Sequence, residues 1–324
     1  MADPASGRRV DVFSLPMSMR FRRVDHREGM VLHGPAGMGE FSPFWDYDIE
    51  ESAIWLVAAL EAADVGFPEV VRDSVPVNCT VPAVGPEQAA AIVTAPHGCT
   101  TAKVKVAEPG GSLDDDVARV GAVREAMGPH ARIRVDANGG WGVEQAVAAI
   151  AVLDEVGLEY VEQPVATVEG LAAVRRRVSV PIAADESIRR ADDPLRVARL
   201  GAADIAVLKV QPLGGVRACL RLAEQIGIPV VVSSALESSV GIAAGVALAA
   251  ALPELPYACG LATASMLRRD LVASPMIPVD GRLAVRRPDL DPDRLEQCRA
   301  EPATAARWHE RLAACTAALE RVCG

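Results

Sequence analysis

The sequence has few of the features that mark several common protein classes. Aromatic residues make up only 4% of its 324 residues, and its 33 basic residues are outnumbered by 43 acidic ones, which gives a net charge of −10. This acidity argues against a nucleic-acid partner, because such binders need a basic face to displace phosphate counterions. The most apolar stretch, Val240–Leu252, is too short to span a bilayer and is typical of a buried helix. Residues 1–16 hold no apolar run of signal-peptide length, so we expect a soluble, cytoplasmic protein.

Several familiar motifs are also missing. The seven cysteines form no C-x-x-C pair, and their odd number argues against a disulfide framework or a zinc ribbon. No H-E-x-x-H metal motif, G-x-S-x-G nucleophile motif or phosphate-binding P-loop occurs. Any chemistry must therefore come from Lys, Asp, Glu or Ser side chains.

The pattern of apolar residues divides the chain into three parts. Residues 1–75 begin with short alternating segments and then enter a helix, which Asp48 is expected to cap and which runs to about Ala63. Residues 277–324 predict a hairpin that turns at Asp280-Gly281, followed by a final helix. A lone hairpin and helix are marginally stable, so we expect this tail to pack on the first part. The predicted strands of the first part are Val10–Phe13, Arg20–Val24 and Gly29–His33.

Residues 76–276 alternate short apolar runs with Ala-rich amphipathic helices. The predicted helices include Leu113–Met127, Val143–Val156, Pro194–Leu200, Val216–Ile226 and Val240–Ala251. This alternation is typical of a parallel sheet that helices cover. About eight strand–helix units in about 200 residues favour an α/β barrel of the TIM type, with a doubly wound open sheet as the alternative. The predicted strands are Val75–Val81, Thr101–Val106, Ile133–Val135, Tyr160–Val161, Ile182–Ala184, Ile205–Leu208, Pro229–Ser233 and Tyr257–Gly260.

Polar residues lie at or near the ends of five successive predicted strands. Counted from Lys105, the groups are separated by 31, 26, 23 and 24 residues, each the length of one strand–helix unit. Each group therefore lies once per unit at a similar height, which in a parallel barrel is the C-terminal rim where catalytic groups collect. The groups are Lys103-x-Lys105, Asp136-Ala137-Asn138, Glu162-Gln163-Pro164, Asp185-Glu186-Ser187 and Lys209.

Asp136, Glu162 and Asp185 end three adjacent predicted strands, so their carboxylates are expected to converge. Three anions in a partly desolvated site repel one another unless a cation joins them. Oxygen ligands with open positions suit a hard ion, and we therefore expect these residues to bind Mg²⁺. The alternative interpretation, that each is a helix cap or a surface charge, accounts less well for their shared register.

Lys103 and Lys105 point to the same side of their strand, because side chains two residues apart share a face. Two adjacent ammonium groups depress each other's pKa, which makes a neutral amine available as a base. We assign Lys105 as the base, Lys103 as the residue that tunes it, and Lys209 as the cation on the opposite face. This set fits removal of a proton α to a carboxylate, and its positive charge suits a small dicarboxylate substrate.

Taken together, these residues resemble the enolase superfamily in its muconate-lactonizing subgroup. The resemblance covers nearly the whole chain. It implies a modified (β/α)7β barrel beneath an α+β capping domain formed by both termini. It also implies that Asp136, Glu162 and Asp185 bind Mg²⁺ and that Lys105 and Lys209 are the acid/base pair.

Within this subgroup, the sequence resembles the actinobacterial family of o-succinylbenzoate synthases. The resemblance implies dehydration of 2-succinyl-6-hydroxy-2,4-cyclohexadiene-1-carboxylate to o-succinylbenzoate, a menaquinone precursor. Ser233 and Ser234 are then expected to bind the succinyl carboxylate, with turn or capping roles as the alternative. The motifs that carry this resemblance are Gly39–Phe44, the early helix after Trp45-Asp46-Tyr47, Val75–Asn78 and Ser233–Ser239.

Other positions are expected near the substrate. Asn138 is predicted to contact it, and Gly39–Phe44 to exclude water from above. Arg20 and Arg22 are expected either beside the loop over the site or on the surface. Some members of the subgroup carry an acidic residue after the eighth strand, whereas this chain has none in Leu261–Ser265.

Other functions remain compatible with the sequence. An N-succinylamino acid racemase uses the same two lysines from opposite faces, and one pocket could accept both succinyl substrates. A dipeptide epimerase fits less well, because the acidic residue expected after the eighth strand is missing. A non-catalytic scaffold would not need the lysines and carboxylates. Either a monomer or a small homo-oligomer is compatible with this reading.

Overall fold

An antiparallel sheet opens the fold and packs against the first helix. In the computed structural model, which describes residues 7–21, 24–191 and 193–323, this sheet contains β1 (Val10–Phe21), β2 (Val24–Gly34) and β3 (Gly37–Phe41). Helix α1 (Ile49–Leu60) begins where the Asp48 side chain accepts a hydrogen bond from a main-chain amide, as predicted, and continues as a π-helical turn. The close contact of sheet and helix requires Gly39, since a Cβ there would lie 1.9 Å from the Ala59 carbonyl oxygen.

The predicted strand over Arg20–Val24 is wrong. Its first residues end β1 and its last residue begins β2, because Phe21 and Val24 face each other where the chain reverses. Residues 22 and 23 lie outside the described residues. The sequence-based prediction also missed β3, whose two glycines weaken the apolar alternation of a strand.

A parallel sheet of seven strands forms the centre of the molecule. Strand β4 (Ser74–Pro76) precedes this sheet and belongs to a different pair. Each of the seven strands lies beside its neighbours in the chain, in the order expected for successive strand–helix units. They are β5 (Cys79–Val81), β6 (Thr101–Lys105), β7 (Arg132–Asp136), β8 (Leu158–Glu162), β9 (Ile182–Ala184), β10 (Ile205–Leu208) and β11 (Val230–Val232).

Helices lie between the strands and cover one face of the sheet. Helix α9 is buried along nearly its whole length, as predicted for the apolar stretch after Val240. No helix among the residues that the structure describes is long and apolar enough to cross a membrane. The helices are α2 (Pro86–Val93), α3 (Leu113–Met127), α4 (Val143–Leu153), α5 (Val168–Arg175), α6 (Glu186–Arg189), α7 (Arg196–Arg199), α8 (Val216–Ile226) and α9 (Ser239–Ala251).

Alternate residues of the sheet enter two different apolar clusters. Val104 and Leu208 pack in the large core that the helices share. Tyr160, Ile205 and Val207 form a separate small cluster on the other face. Because side chains alternate along a strand, the same face also carries the lysines and carboxylates predicted for the site.

The eighth predicted strand, Tyr257–Gly260, is reduced to single parallel bridges. Cys259 pairs with Val77, just before β5, and Gly260 pairs with Ser233, just after β11. These bridges connect the two outer strands of the sheet, which is therefore curled.

The predicted single strand Val75–Val81 is also wrong. Its first part is β4, which pairs antiparallel with β12 (Arg282–Ala284), and only its last part joins the parallel sheet. The hairpin expected around Asp280-Gly281 shrinks to one bridge between Val279 and Arg282, because β12 takes β4 as its partner.

The C-terminal part returns to the first sheet. After α10 (Pro292–Gln297), the long helix α11 (Pro302–Cys323) packs against α1. Trp308 of α11 is fully buried, with its ring 5.9 Å from that of Phe41. Strands β1–β3 and helices α1 and α11 thus share one core, and we call them the terminal layer.

Candidate active site

The strand register brings the five predicted polar positions to one end of the sheet. Lys105 lies opposite Asp136, and Asp136 lies opposite Glu162, at the ends of β6, β7 and β8. Asp185 directly follows β9, and Lys209 directly follows β10. These residues therefore stand at the carboxyl ends of five adjacent parallel strands.

Lysines and carboxylates form buried ion pairs at this end of the sheet. Lys103 Nζ lies 2.9 Å from Glu162 Oε1 and 3.2 Å from Asp136 Oδ2, and Lys105 Nζ lies 2.5 Å from the same Asp136 oxygen. Lys105 also donates a hydrogen bond of 2.6 Å to Asn138 Oδ1. The side chains of Asp136 and Glu162 are 1% exposed, and that of Lys105 is 13% exposed. Lys105 is thus the lysine of this pair that is more open to a ligand.

Asp185 is fully buried and pairs with two cations. Lys209 Nζ lies 2.6 Å from its Oδ2, and Arg189 Nε lies 2.9 Å from its Oδ1. Arg189 also donates to the Tyr47 hydroxyl near the start of α1, at 2.5 Å. The Gln163 side chain accepts a hydrogen bond from the Asp185 amide at 3.0 Å. Sequence analysis assigned no role to Arg189 or Gln163, although the spacing of four residues after Asp185 on a helix is typical of an ion pair.

All lysines of the chain take part in this network. The sequence contains 33 basic residues, and only Lys103, Lys105 and Lys209 among them are lysine. This scarcity is a signal that the sequence analysis did not use.

The electrostatic environment differs between the carboxylates. Burial raises the pKa of Glu162 to about 7, and the Asp136 charge adds to this shift more than the Lys103 charge opposes it. Burial also acts on Asp136, but the charges of Lys105 and Lys103 outweigh it and hold its pKa below the ordinary value. Of these two carboxylates, Glu162 is therefore the one whose negative charge is stabilised less by its surroundings.

The two neighbouring lysines also differ. Burial lowers the pKa of Lys105, and the Lys103 charge lowers it further, against the opposing effect of Asp136. Burial acts in the same sense on Lys103, but the charges of Glu162 and Asp136 outweigh it and raise its pKa. The expectation that both lysines have depressed pKa values is therefore wrong for Lys103, because its amine is held between two carboxylates.

A cleft of about 420 Å³ opens above these residues. Ser233 and Ser234 line it, and Ser234 Oγ lies 2.7 Å from Thr263 Oγ1. Sequence analysis missed Thr263, because the segment after the eighth predicted strand was searched only for an acidic residue. Phe21 at the end of β1 also lines the cleft, with its ring centre 5.7 Å from Lys105 Nζ. The other lining residues are Thr80, Lys103, Lys105, Asn138, Lys209, Ala235, Leu236 and Gly260.

Among the described residues, the other positions expected near the site do not line the cleft. The Arg20 side chain is 67% exposed and lies 4.0 Å from Asp25. Arg22 lies outside the described residues. Residues 39–44 do not line the cleft, but Glu40 among them contacts a segment that does.

The donor set suits a hard divalent cation, although the side chains are not arranged around one position. Across residues 7–21, 24–191 and 193–323, no group of three or more His, Cys, Asp or Glu side chains is placed to hold a metal ion. The carboxylate oxygens of Asp136, Glu162 and Asp185 instead form ion pairs with lysine amines. The three carboxylates are nevertheless buried at adjoining strand ends, where burial and the Asp136 charge raise the pKa of Glu162 to about 7. Oxygen donors in such surroundings fit Mg²⁺.

Family comparison covers most of the chain. Residues 86–292 match the family described as enolase C-terminal domain-like, and residues 12–63 match enolase N-terminal domain-like. The chain belongs to the enolase superfamily. Members of this superfamily generally use a divalent metal ion, typically Mg²⁺.

Relatives in this superfamily include several enzymes named o-succinylbenzoate synthase. The one from Thermobifida fusca is 63% identical over 310 residues, which cover 96% of each chain. The one from Mycobacterium tuberculosis H37Rv is 56% identical over 308 residues, covering 95% of this chain and 93% of the relative.

Solved structures of the superfamily share the fold at lower identity. A muconate lactonizing enzyme from Pseudomonas fluorescens, complexed with muconolactone, superposes with a TM-score of 0.79 at 24% identity, over 90% of this chain and 98% of that one. The L-Ala-D/L-Glu epimerase from Bacillus subtilis gives a TM-score of 0.74 at 24% identity, over 87% and 96% of the two chains. The architecture is thus that of the muconate lactonizing enzymes.

Proposed function

We propose that this enolase-superfamily protein is an o-succinylbenzoate synthase. It dehydrates 2-succinyl-6-hydroxy-2,4-cyclohexadiene-1-carboxylate to o-succinylbenzoate, a precursor of menaquinone. The observation that carries this proposal is the set of lysines and carboxylates at adjoining strand ends, in a chain that is 56–63% identical over nearly its full length to enzymes of that name. With Mg²⁺ held by the three carboxylates, the ion and the three lysines would give the cleft a net positive charge, which suits a substrate with two carboxylates.

The fold serves this function as a barrel with a cap. In this proposal the seven strands and the bridged residues 259–260 form a modified (β/α)7β barrel over residues 76–276. The capping domain consists of residues 1–75 and 277–324, and the terminal layer within it lies over the carboxyl ends of the strands. The position of Phe21 at the cleft supports this arrangement.

Asp136, Glu162 and Asp185 are the residues that would hold Mg²⁺. The ion would supply positive charge to a substrate carboxylate and so acidify the adjacent C–H bond. The amines of Lys103, Lys105 and Lys209 form ion pairs with the same three carboxylates, so the proposed metal ligands and the proposed acid/base residues lie within one site.

Lys105 acts as the base in this scheme. Its neutral amine takes the proton α to the ring carboxylate, and burial favours the neutral form by lowering its pKa. The resulting enediolate anion is stabilised by the Lys209 ammonium, which enters the same cleft from β10. The protonated Lys105 then returns its proton to the departing β-hydroxyl, so that the C–O bond breaks and water leaves on the same face. Formation of the aromatic ring drives this step.

Hydroxyl and amide groups orient the substrate. Ser233 and Ser234 follow β11, and Thr263, which follows the bridged residues 259–260, lies beside them at the cleft. Their hydroxyls can donate to the succinyl carboxylate. Asn138 lies beside Lys105 on the opposite wall and holds its amine through the side-chain oxygen. Asn138 thus positions the base and can contact the substrate at the same time.

The first experiment follows the ultraviolet absorbance of the cyclohexadiene substrate. We expect rapid loss of the diene with Mg²⁺, no turnover with excess EDTA, and recovery when Mg²⁺ is restored above the chelator. Recovery separates metal removal from irreversible damage. A turnover rate that does not change with EDTA or with Mg²⁺ would contradict the metal assignment. The absence of any turnover would contradict the proposed reaction.

N-succinylamino acid racemisation is the second candidate. Lys105 and Lys209 line one cleft from strands four positions apart in the sheet, an arrangement that can exchange a proton on either face of an α-carbon. N-succinylamino acids in D₂O provide the comparison with the diene assay. α-Proton exchange without diene dehydration would assign the protein to racemisation, and exchange alongside dehydration would mean dual activity.

The rate should depend on pH through Lys105. Because the base must be neutral, kcat/KM is expected to rise with pH and to level off above the pKa of Lys105, which lies below the ordinary lysine value of 10.5. A pH–rate profile at saturating Mg²⁺ measures this midpoint, with the melting temperature followed over the same range as a control. A rate that falls with pH while the protein stays folded would exclude a neutral lysine as the base.

A further inference from the structure

One wall of the cleft is a strained segment of the main chain. Ala235 and Leu236 line the cleft after β11, and Leu236 has a φ of 69°, in the left-handed region that a leucine rarely adopts. A residue keeps such a conformation only where its surroundings hold it. The surroundings of residues 235–238, here called the wall segment, come largely from the terminal layer.

Arg27 holds the strained residue from β2. Its Nε donates a hydrogen bond of 2.9 Å to the Leu236 carbonyl oxygen, and its Nη2 lies 3.0 Å from Ser42 Oγ. The guanidinium also stacks on the Phe44 ring, 4.3 Å from the ring centre. Arg27 is 3% exposed, so these contacts are made out of water, where a fixed planar donor gives most directional control.

Glu40 holds the other end of the wall segment from β3. It accepts hydrogen bonds from the Ser238 amide at 3.1 Å, the Ser238 hydroxyl at 2.5 Å and the Gly241 amide at 3.0 Å. These groups belong to the first turn of α9, whose amides and dipole favour a carboxylate. The approach requires a glycine at 241, because a Cβ there would lie 2.9 Å from Glu40 Oε2 and 2.5 Å from Glu237 Cβ.

The wall segment has a further tie within itself. Glu237 is 1% exposed, and its Oε2 accepts a hydrogen bond of 2.8 Å from the Ala235 amide. Its Oε1 has no hydrogen-bond partner among the described residues. Hydrogen bonds within the wall segment therefore leave one buried oxygen without a partner. The contacts from Arg27 and Glu40 are correspondingly more important to the conformation of the segment.

We propose that Arg27 and Glu40 are positioning residues that fix the wall segment against the terminal layer and thereby set the affinity of the cleft for its substrate. The inference rests on the proposed function in that the substrate occupies this cleft. Neither residue lines the cleft. Lys105 and Lys209 stand on other strands, so disturbing the wall segment should change KM much more than kcat.

The test compares Arg27→Met and Glu40→Gln with a matched control, Arg287→Met. Arg287 also donates to main-chain carbonyl oxygens, of Ala36 and Met38, and stacks on an aromatic ring at 4.4 Å, but it does not contact the wall segment. We expect Arg27→Met to raise KM about tenfold or more, with kcat within about threefold, as the loss of a buried hydrogen bond implies. Glu40→Gln should shift KM in the same direction, and the control should leave both constants within about twofold.

Hydrogen–deuterium exchange gives a readout that does not depend on turnover. Amides of residues 235–241 should exchange about tenfold faster in Arg27→Met and Glu40→Gln than in the parent protein and in Arg287→Met. Parent-like KM and exchange in a folded Arg27→Met protein would overturn the proposal. If that variant does not fold, the nearly isosteric Glu40→Gln decides by the same criteria. A parent protein without diene turnover would refute the proposed function, while the exchange rates would still decide whether Arg27 and Glu40 position the segment.

Discussion

Replacing Lys105 with alanine should lower the turnover of the diene by about 10³-fold or more and leave the fold intact. The amine is the only basic group that the proposed reaction uses on that face of the substrate. The side chain lies at the rim of the sheet, and its two partners, Asp136 and Asn138, can bond to water in its place. Steady-state kinetics and the melting temperature of the variant measure both effects.

Lys105→Arg sharpens this test. Arginine keeps the positive charge beside Asp136 but stays protonated, so it cannot accept the α-proton, and we expect it to be as inactive as alanine. Arg132→Ala serves as a control, because it removes a cation from the opposite end of the neighbouring strand, where Arg132 pairs with Glu159. Substantial turnover in Lys105→Arg would remove Lys105 from the role of base.

Asp185→Asn should weaken Mg²⁺ binding by about 100-fold or more, because it removes one of three proposed carboxylate ligands. Turnover at limiting Mg²⁺ should fall in parallel. The variant also leaves Lys209 and Arg189 beside a neutral amide, and uncompensated buried charge lowers the free energy of unfolding. Titration calorimetry with Mg²⁺ measures the affinity directly, and thermal unfolding measures the stability.

Asp204→Asn is the matched control for that variant. Asp204 also pairs with an arginine, Arg175 at 2.7 Å, but it lies just before β10 rather than at the carboxyl end of a strand. Its other oxygen accepts a hydrogen bond from the Ile182 amide. Its replacement should leave the Mg²⁺ isotherm unchanged. An unchanged isotherm in a folded Asp185→Asn protein would mean that Asp185 is not a ligand.

The sequence predicts best those elements whose signals are local. Strands Ile182–Ala184 and Ile205–Leu208 and helices Leu113–Met127 and Val216–Ile226 have the predicted bounds. Each strand is a short apolar run between polar turns. Helix Leu113–Met127 begins with a capping box at Ser112 and ends at a glycine, so the residues beside it determine both of its ends.

Prediction fails where a partner distant in sequence decides the structure. The run Val75–Val81 looks like one strand, but Val75 pairs with Leu283, more than two hundred residues away, and only the later part joins the parallel sheet. Because β12 pairs with β4, only the bridge between Val279 and Arg282 remains of the expected hairpin. Apolar periodicity shows that a segment is extended, not which strand it will meet.

The candidate site divides in the same way. Groups at strand ends could be found because one strand–helix unit has a nearly constant length, which puts Asp136 beside Glu162. Arg27 could not be found in this way. Arg27 contacts Leu236, which is 209 residues away in the sequence. Nothing in the residues around Arg27 indicates that contact.

The confinement of lysine to the cleft has a consequence for chemical labelling. Reagents that acylate primary amines do not modify the thirty arginines, so their side-chain targets are the three lysines. The side chains of Lys103, Lys105 and Lys209 are 7%, 13% and 9% exposed, respectively. Side-chain acylation would therefore report occupancy of the cleft itself, and a bound ligand would protect the whole set. Coupling of the protein to a solid surface through amines would therefore either leave all three lysine side chains unmodified or block the cleft.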